Sequence, residues 1–166
     1  MRLVTFDGGR VGKIIDDRIV EFRCDSMRQY FELSGEVDET GESFALSKVT
    51  LDAPIVPKKF FHTSGNFREH GEDLERVNWS HPVNKGIVFF QNVDAIVGPG
   101  QPVIYPEHLT RELDYELELG IVIGKPGKFF STEEARQHIA GFVIFNDITA
   151  RVIQRREIKS GVFSFC

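Results

Sequence analysis

The longest regular pattern in the chain runs from Leu113 to Ile123. Apolar side chains occupy Leu113, Tyr115, Leu117, Leu119, Ile121 and Ile123, with Asp114, Glu116 and Glu118 between them. A period of two sends alternate side chains to opposite faces of a strand. The segment is therefore expected to be a strand with one apolar and one acidic face. A second apolar run, 140–146, predicts a buried strand that ends at Asp147. Near the N-terminus, Leu3–Phe6, Val11–Ile15 and Ile19–Phe22 are separated by Asp7-Gly8-Gly9-Arg10 and by Asp16-Asp17, whose residues tolerate tight-turn backbone. They predict a three-strand meander. Lys59–Thr63 and Ile87–Phe90 read as two further strands.

Helices are expected over 26–33 behind a Ser26 cap, over 66–77, and over 133–139 with Ser131 or Thr132 as N-cap. Residues 34–47 are polar and contain glycine, which predicts a loop. Pro54 and Pro57 lack donors and fix φ, so the stretch around Ile55-Val56 reads as an extended joint. It would divide a small β-rich unit, residues 1–55, from a larger unit, residues 56–166.

The acidic face carries the first chemical signal. Successive carboxylates on one face of a strand lie only about 7 Å apart and repel one another. Two readings follow. The face is solvated, as on one side of an antiparallel sheet, or a cation neutralises it. Hard oxygen ligands would select Mg²⁺ or Mn²⁺, or Ca²⁺, over zinc. Asp147, directly after an apolar run, either caps a helix starting at Ile148 or converges with Glu116 and Glu118 if the two long strands pair. His70 is the general-base candidate, with Asp73 three residues on to orient its ring; the alternative is an exposed histidine on a charged helix. His62, His81, His108 and His138 form no zinc-binding spacing. No nucleophile elbow, phosphate loop or dinucleotide fingerprint is present.

Composition narrows the class. The chain has 166 residues, 41% of them hydrophobic and 27% charged, with a formal charge of −5. That is an ordinary globular balance, and a net acidic chain lacks the basic surface that nucleic acid requires. No apolar stretch approaches the roughly 18 residues of a membrane-spanning helix. No secretion signal opens the chain, and Cys24 and Cys166 make no disulfide framework, so a cytoplasmic protein is expected. Phe is abundant at 15 residues, which favours strands.

Several segments together resemble the fumarylacetoacetate hydrolase family: Gly65-Asn66-Phe67-Arg68-Glu69-His70, Val97-Gly98-Pro99-Gly100, Glu112–Leu119, Ile123-Gly124-Lys125 and Asn146-Asp147-Ile148-Thr149-Ala150-Arg151. The resemblance covers roughly Pro57 to the C-terminus. It implies a mixed β-rich (α+β) fold, a β-sandwich roll preceded by a small β-rich unit. The family roll extends further than this chain, so its C-terminal part is expected to be missing. The resemblance further implies Mg²⁺ or Mn²⁺ on Glu116, Glu118 and Asp147, with His70 as catalytic base on a lid beside Asp73. It places Arg151 and Gln154 near substrate, and Gln91 where many members hold substrate with a lysine. The implied chemistry is metal-dependent C–C hydrolysis of small 2-oxo or 1,3-dioxo acids through an enolate, as in aromatic catabolism, by a homodimer. Isomerisation or decarboxylation of 2-hydroxy-diene-dioates or oxaloacetate-type acids is the alternative, and a non-catalytic truncated member is the third.

Overall fold

A computed structural model describes residues 1–64 and 87–161. The N-terminal part is a four-stranded antiparallel sheet in the order β1-β2-β3-β4, formed by β1 (Arg2–Phe6), β2 (Arg10–Ile15), β3 (Arg18–Phe22) and β4 (Glu39–Ala45). Its first turn needs left-handed backbone at Asp7 (φ 44°), Gly8 (φ 82°) and Gly9 (φ 109°). Asp52 fixes that turn by accepting the Gly8 and Gly9 N–H groups at 2.8 and 3.0 Å.

Helix α1 (Met27–Glu32) starts at Ser26, whose side chain accepts from the Gln29 N–H. It closes a small core of Val11, Phe22, Met27 and Tyr30, with Leu3, Phe31, Val37 and Ile55 against it. Glu21 is buried on β3 but takes two hydrogen bonds from Arg10, at 2.6 and 2.9 Å, and one from Thr40. The Arg10 guanidinium holds the Glu21 carboxyl below the usual carboxylate range.

The segment expected as a loop over 34–47 contains β4, which pairs with β3. Its sequence, Glu-Thr-Gly-Glu-Ser-Phe-Ala, is mostly polar because it is an edge strand with one side open to water. Past it, residues 50–52 bond back to β1 and its turn, with Asp7 N–H donating to Thr50 and Asp52 N–H donating to Thr5, both at 2.9 Å. The turn at Val97-Gly98-Pro99-Gly100 rests on this stretch: a Cβ at Gly98 would meet Ala53 N at 2.8 Å.

Two hairpin-like sheets follow. β5 (Phe60–Ser64) pairs antiparallel with β6 (Ile87–Gln91), and β7 (Leu113–Ile123) with β8 (Ile139–Ala150). β7 has the bounds its alternation predicts. β8 runs from Ile139 past Asp147 to Ala150, longer than the expected 140–146, so Asp147 lies within a strand and caps no helix. Helix α3 (Arg151–Lys159) begins directly after it. The expected 133–139 helix is shorter: α2 (Thr132–Ala135) carries a Ser131–Glu134 capping box and passes into one 3₁₀ turn. β5 lies against β8 through the rings of Phe60 and Phe145, 4.9 Å apart. No helix among the described residues is long and apolar enough to cross a membrane.

The two faces of β7 are disposed opposite to a simple amphipathic strand. The acidic side is half-buried under β5. The apolar side is open: Tyr115 is 77% exposed, Leu117 76% and Leu119 60%, with Phe142 and Ile144 of β8 continuing the row. The acidic face is thus partly covered and partly open to water, with the Asp114 side chain 46% exposed and that of Glu118 31%.

Candidate metal centre

Three strands converge on the acidic face. In the β7–β8 register Glu116 stands opposite Asp147 and Glu118 opposite Phe145. Facing side chains at such rungs lie on the same side of the sheet. β5 supplies the third wall: His62 shares a face with Phe60 and Ser64 and is paired with Phe89 of β6. His62 is 3% exposed, and its ring is lined by Phe60, Phe89 and Phe145 at centroid distances of 4.5, 5.4 and 5.2 Å.

The polar edge of that ring meets the carboxylates. His62 Nδ1 lies 3.1 Å from Asp147 Oδ2 and 3.8 Å from Glu118 Oε2. Neither ring nitrogen makes a hydrogen bond of acceptable geometry. Ligand atoms of His62, Glu118 and Asp147 all lie within 4.8 Å of one another. Burial pushes the Glu118 carboxyl above its usual range; the His62 ring opposes this, and Asp147 and Glu116 add to it.

Glu116 is committed elsewhere. It accepts from Arg151 Nη2, while the same guanidinium donates from Nε to Asp114 Oδ2 and from Nη1 to Gln154 Oε1, both at 2.9 Å. Arg151 thereby holds the Asp114 carboxyl below its ordinary range. Asp114, Glu116, Glu118 and Asp147 thus line one patch, and among the described residues Arg151 is the guanidinium paired with it.

The structure accordingly brings together Glu118 and Asp147 from the expected ligand set, and sets Glu116 beside them on Arg151. Arg151 and Gln154 are joined to each other at the start of α3. Gln91 ends β6, opposite Phe60. His70 and Asp73 lie outside the described residues. His62 escaped the sequence reading because it belongs to no spaced motif. Its one local signal is a titratable residue inside the aromatic run Phe60-Phe61-His62.

A divalent cation suits this donor set. Two carboxylates held close, one with a raised proton affinity, and a buried imidazole without a hydrogen bond are each relieved by a positive ion. The separations of 3.1 and 3.8 Å suit donors that share one octahedral ion, about 3 Å apart when cis and about 4 Å when trans for bonds near 2.1 Å. A cleft of about 430 Å³ near Thr5, Gly8, Asp52 and Ile55 belongs to the N-terminal sheet and involves none of these groups.

This β-rich arrangement with its carboxylate face is that of a known enzyme fold. Residues 59–165 match the family model for the fumarylacetoacetate (FAA) hydrolase C-terminal domain, and the chain belongs to that family. It is 41% identical over 124 residues to oxaloacetate tautomerase YisK of Bacillus subtilis, covering 72% of this chain and 40% of that protein. It is 33% identical over 180 aligned positions to the mitochondrial oxaloacetate tautomerase fahd2 of Xenopus laevis, covering 95% of this chain and 54% of that one. Among solved structures it is similar to maleylpyruvate hydrolase from Sphingobium sp. SYK-6 in complex with manganese(II) and pyruvate. There the TM-score is 0.67 and the identity 26%, over 91% of this chain and 60% of the other. The chain thus spans about half the length of the curated relatives it matches.

Proposed function

We propose that the protein is a divalent-metal enzyme that works on small 2-oxo or 1,3-dioxo carboxylic acids through enolate chemistry. The observation that carries this reading is the half-buried Glu118–Asp147 pair with His62 at its edge. Mg²⁺ or Mn²⁺ bound there would chelate a 2-oxo carboxylate and act as a Lewis acid on its keto oxygen. The family and the manganese- and pyruvate-bound relative support the choice of ion and substrate class.

The chain's own residues account for the rest of the site. Glu118 and Asp147 present anionic oxygens in a partly desolvated place, where electrostatic attraction to a cation is stronger than in water. Arg151, fixed beside the patch by Asp114, Glu116 and Gln154, is the positive charge that a second carboxylate of a substrate would meet. The phenylalanine rings of β5, β6 and β8 exclude water from one side. His70, with Asp73, is the proposed proton carrier, and Gln91 a proposed substrate contact.

Between reactions, keto–enol tautomerisation of a 2-oxo diacid is favoured by the two relatives named as oxaloacetate tautomerases. Hydrolysis of the C–C bond of a 1,3-dioxo acid is the second reading, favoured by the maleylpyruvate hydrolase likeness. Both need the same stabilised enolate and a proton carrier. We further propose a homodimer and two units, 1–55 and 56–166.

The test is a paired assay with added Mn²⁺: the ultraviolet absorbance of enol-oxaloacetate, and pyruvate release from acylpyruvates. Decay of enol absorbance without pyruvate release assigns tautomerisation, and pyruvate release assigns hydrolysis. Retention of either activity in Glu118→Gln refutes the proposed centre.

A further inference from the structure

We propose that His62 donates Nδ1 directly to the divalent ion on Glu118 and Asp147, so that the centre is a mixed imidazole–carboxylate site selecting a first-row transition ion such as Mn²⁺ over Mg²⁺. The proposal rests on the metal centre argued above and adds a ligand that sequence spacing does not suggest.

Four observations converge. The ring is 3% exposed and neither nitrogen has a hydrogen-bond partner, a condition that buried polar groups rarely tolerate. Nδ1 stands 3.1 Å from Asp147 Oδ2 but out of line for N–H donation, so the contact is not an ordinary hydrogen bond. An unprotonated Nδ1 this close to two carboxylates is repelled by both unless something positive lies among the three. Phe60, Phe89 and Phe145 surround the ring, so its apolar packing leaves the carboxylates as its polar neighbours.

The ring's position is set twice over. The β5–β6 register puts His62 opposite Phe89, and the ring of Phe145, on the Glu118 rung of β7–β8, meets it at 5.2 Å. Glu116, the remaining carboxylate of that face, is paired with Arg151, and His62 brings a further donor from β5. Imidazole is a softer ligand than carboxylate. It adds little for Mg²⁺ and Ca²⁺, which prefer oxygen, and more for transition ions.

A protonated His62 that simply pairs with the two carboxylates is the competing arrangement, and spectroscopy separates the two. The chain is loaded with Mn²⁺ and examined by pulsed electron paramagnetic resonance for ¹⁴N modulation. The variants are His62→Gln and His62→Phe, the second keeping an aromatic ring among the phenylalanines. The expected result is nitrogen modulation in the wild-type chain that disappears in both variants. By calorimetry, Mn²⁺ affinity should fall about tenfold or more while Mg²⁺ affinity changes by less than about threefold. Mn²⁺ binding without nitrogen modulation, or modulation that survives His62→Phe, overturns the His62 ligand and leaves the carboxylate centre standing. Failure of the wild-type chain to bind Mn²⁺ at all overturns both.

Discussion

Glu116 and Asp147 stand directly opposite each other across the β7–β8 ladder, yet their carboxylates turn to different partners. Glu116 goes to the Arg151 guanidinium and Asp147 to the His62 ring. The same rung therefore contributes to two electrostatic units, one neutralised by arginine and one grouped with Glu118 around the His62 ring.

Arg151 repels any ion placed beside Glu118 and Asp147. Arg151→Gln is expected to raise Mn²⁺ affinity, since removing about 1 kcal/mol of repulsion is about fivefold in binding. The same change should weaken a dicarboxylate substrate, which loses its charged donor. Calorimetry with Mn²⁺ alone and KM for a diacid check the two halves.

Acid should loosen the N-terminal sheet through Glu21. Its carboxyl is held low mainly by the hydrogen bonds from Arg10. The folded state thus binds the Glu21 proton less readily than the unfolded chain. The stability this contributes is complete above the unfolded carboxylate range and disappears as pH falls through the lowered folded value. Thermal melts followed by circular dichroism should show a steeper loss of Tm on acidification in the wild type than in Glu21→Gln.

Two glycine-to-alanine changes should part company. In Gly98→Ala the new methyl meets Ala53 N at 2.8 Å and Asp52 C at 2.9 Å, backbone atoms that cannot rotate away. A loss of about 1–3 kcal/mol is expected from such overpacking. In Gly141→Ala the methyl meets nothing within 4 Å and the backbone needs no left-handed φ, so stability should change by less than about 1 kcal/mol, in either direction. Urea denaturation of the two variants measures both.

The open side of β7 and β8 should make the chain associate. Leu117, Leu119, Phe142 and Ile144 are each at least 60% exposed and lie on neighbouring rungs. Contiguous apolar surface of this kind drives contact with other molecules. Leu117→Lys combined with Ile144→Lys should lower the apparent mass in light scattering at high protein concentration without altering the circular dichroism spectrum.

Much of this was legible in the residues, for local reasons. β7 could be bounded because its alternation is unbroken from Leu113 to Ile123, and Ser26 and Ser131 announce their helices as caps. Strand β4 was not legible, because an edge strand with polar positions on its open side looks like a loop. β8 was read too short because Asp147 and Thr149 are polar residues buried inside a strand, which local composition assigns to a turn or a cap. Which face of β7 is covered was open for a related reason. Alternation fixes two faces but not which of them a neighbouring sheet will cover, and here β5 covers the acidic one. His62 depends on that same long-range placement, so only the odd polar residue in an aromatic run hinted at it.

The parity of β7 makes its function depend on counting. Each carboxylate of β7 is one residue removed from a leucine on the other side of the sheet. Deleting a single residue between Glu112 and Glu116 would leave hydrophobicity and charge nearly unchanged, but a one-step slip in the ladder would turn Leu117 and Leu119 toward His62 and send Glu116 and Glu118 to the outside. The irregularity between Val122 and Ile123 lies at the far end, where an extra residue can be absorbed without reaching the site. Insertions in this hairpin should therefore be harmless near its tip and ruinous near its base, a polarity that a scan of single-residue insertions along the strand would trace.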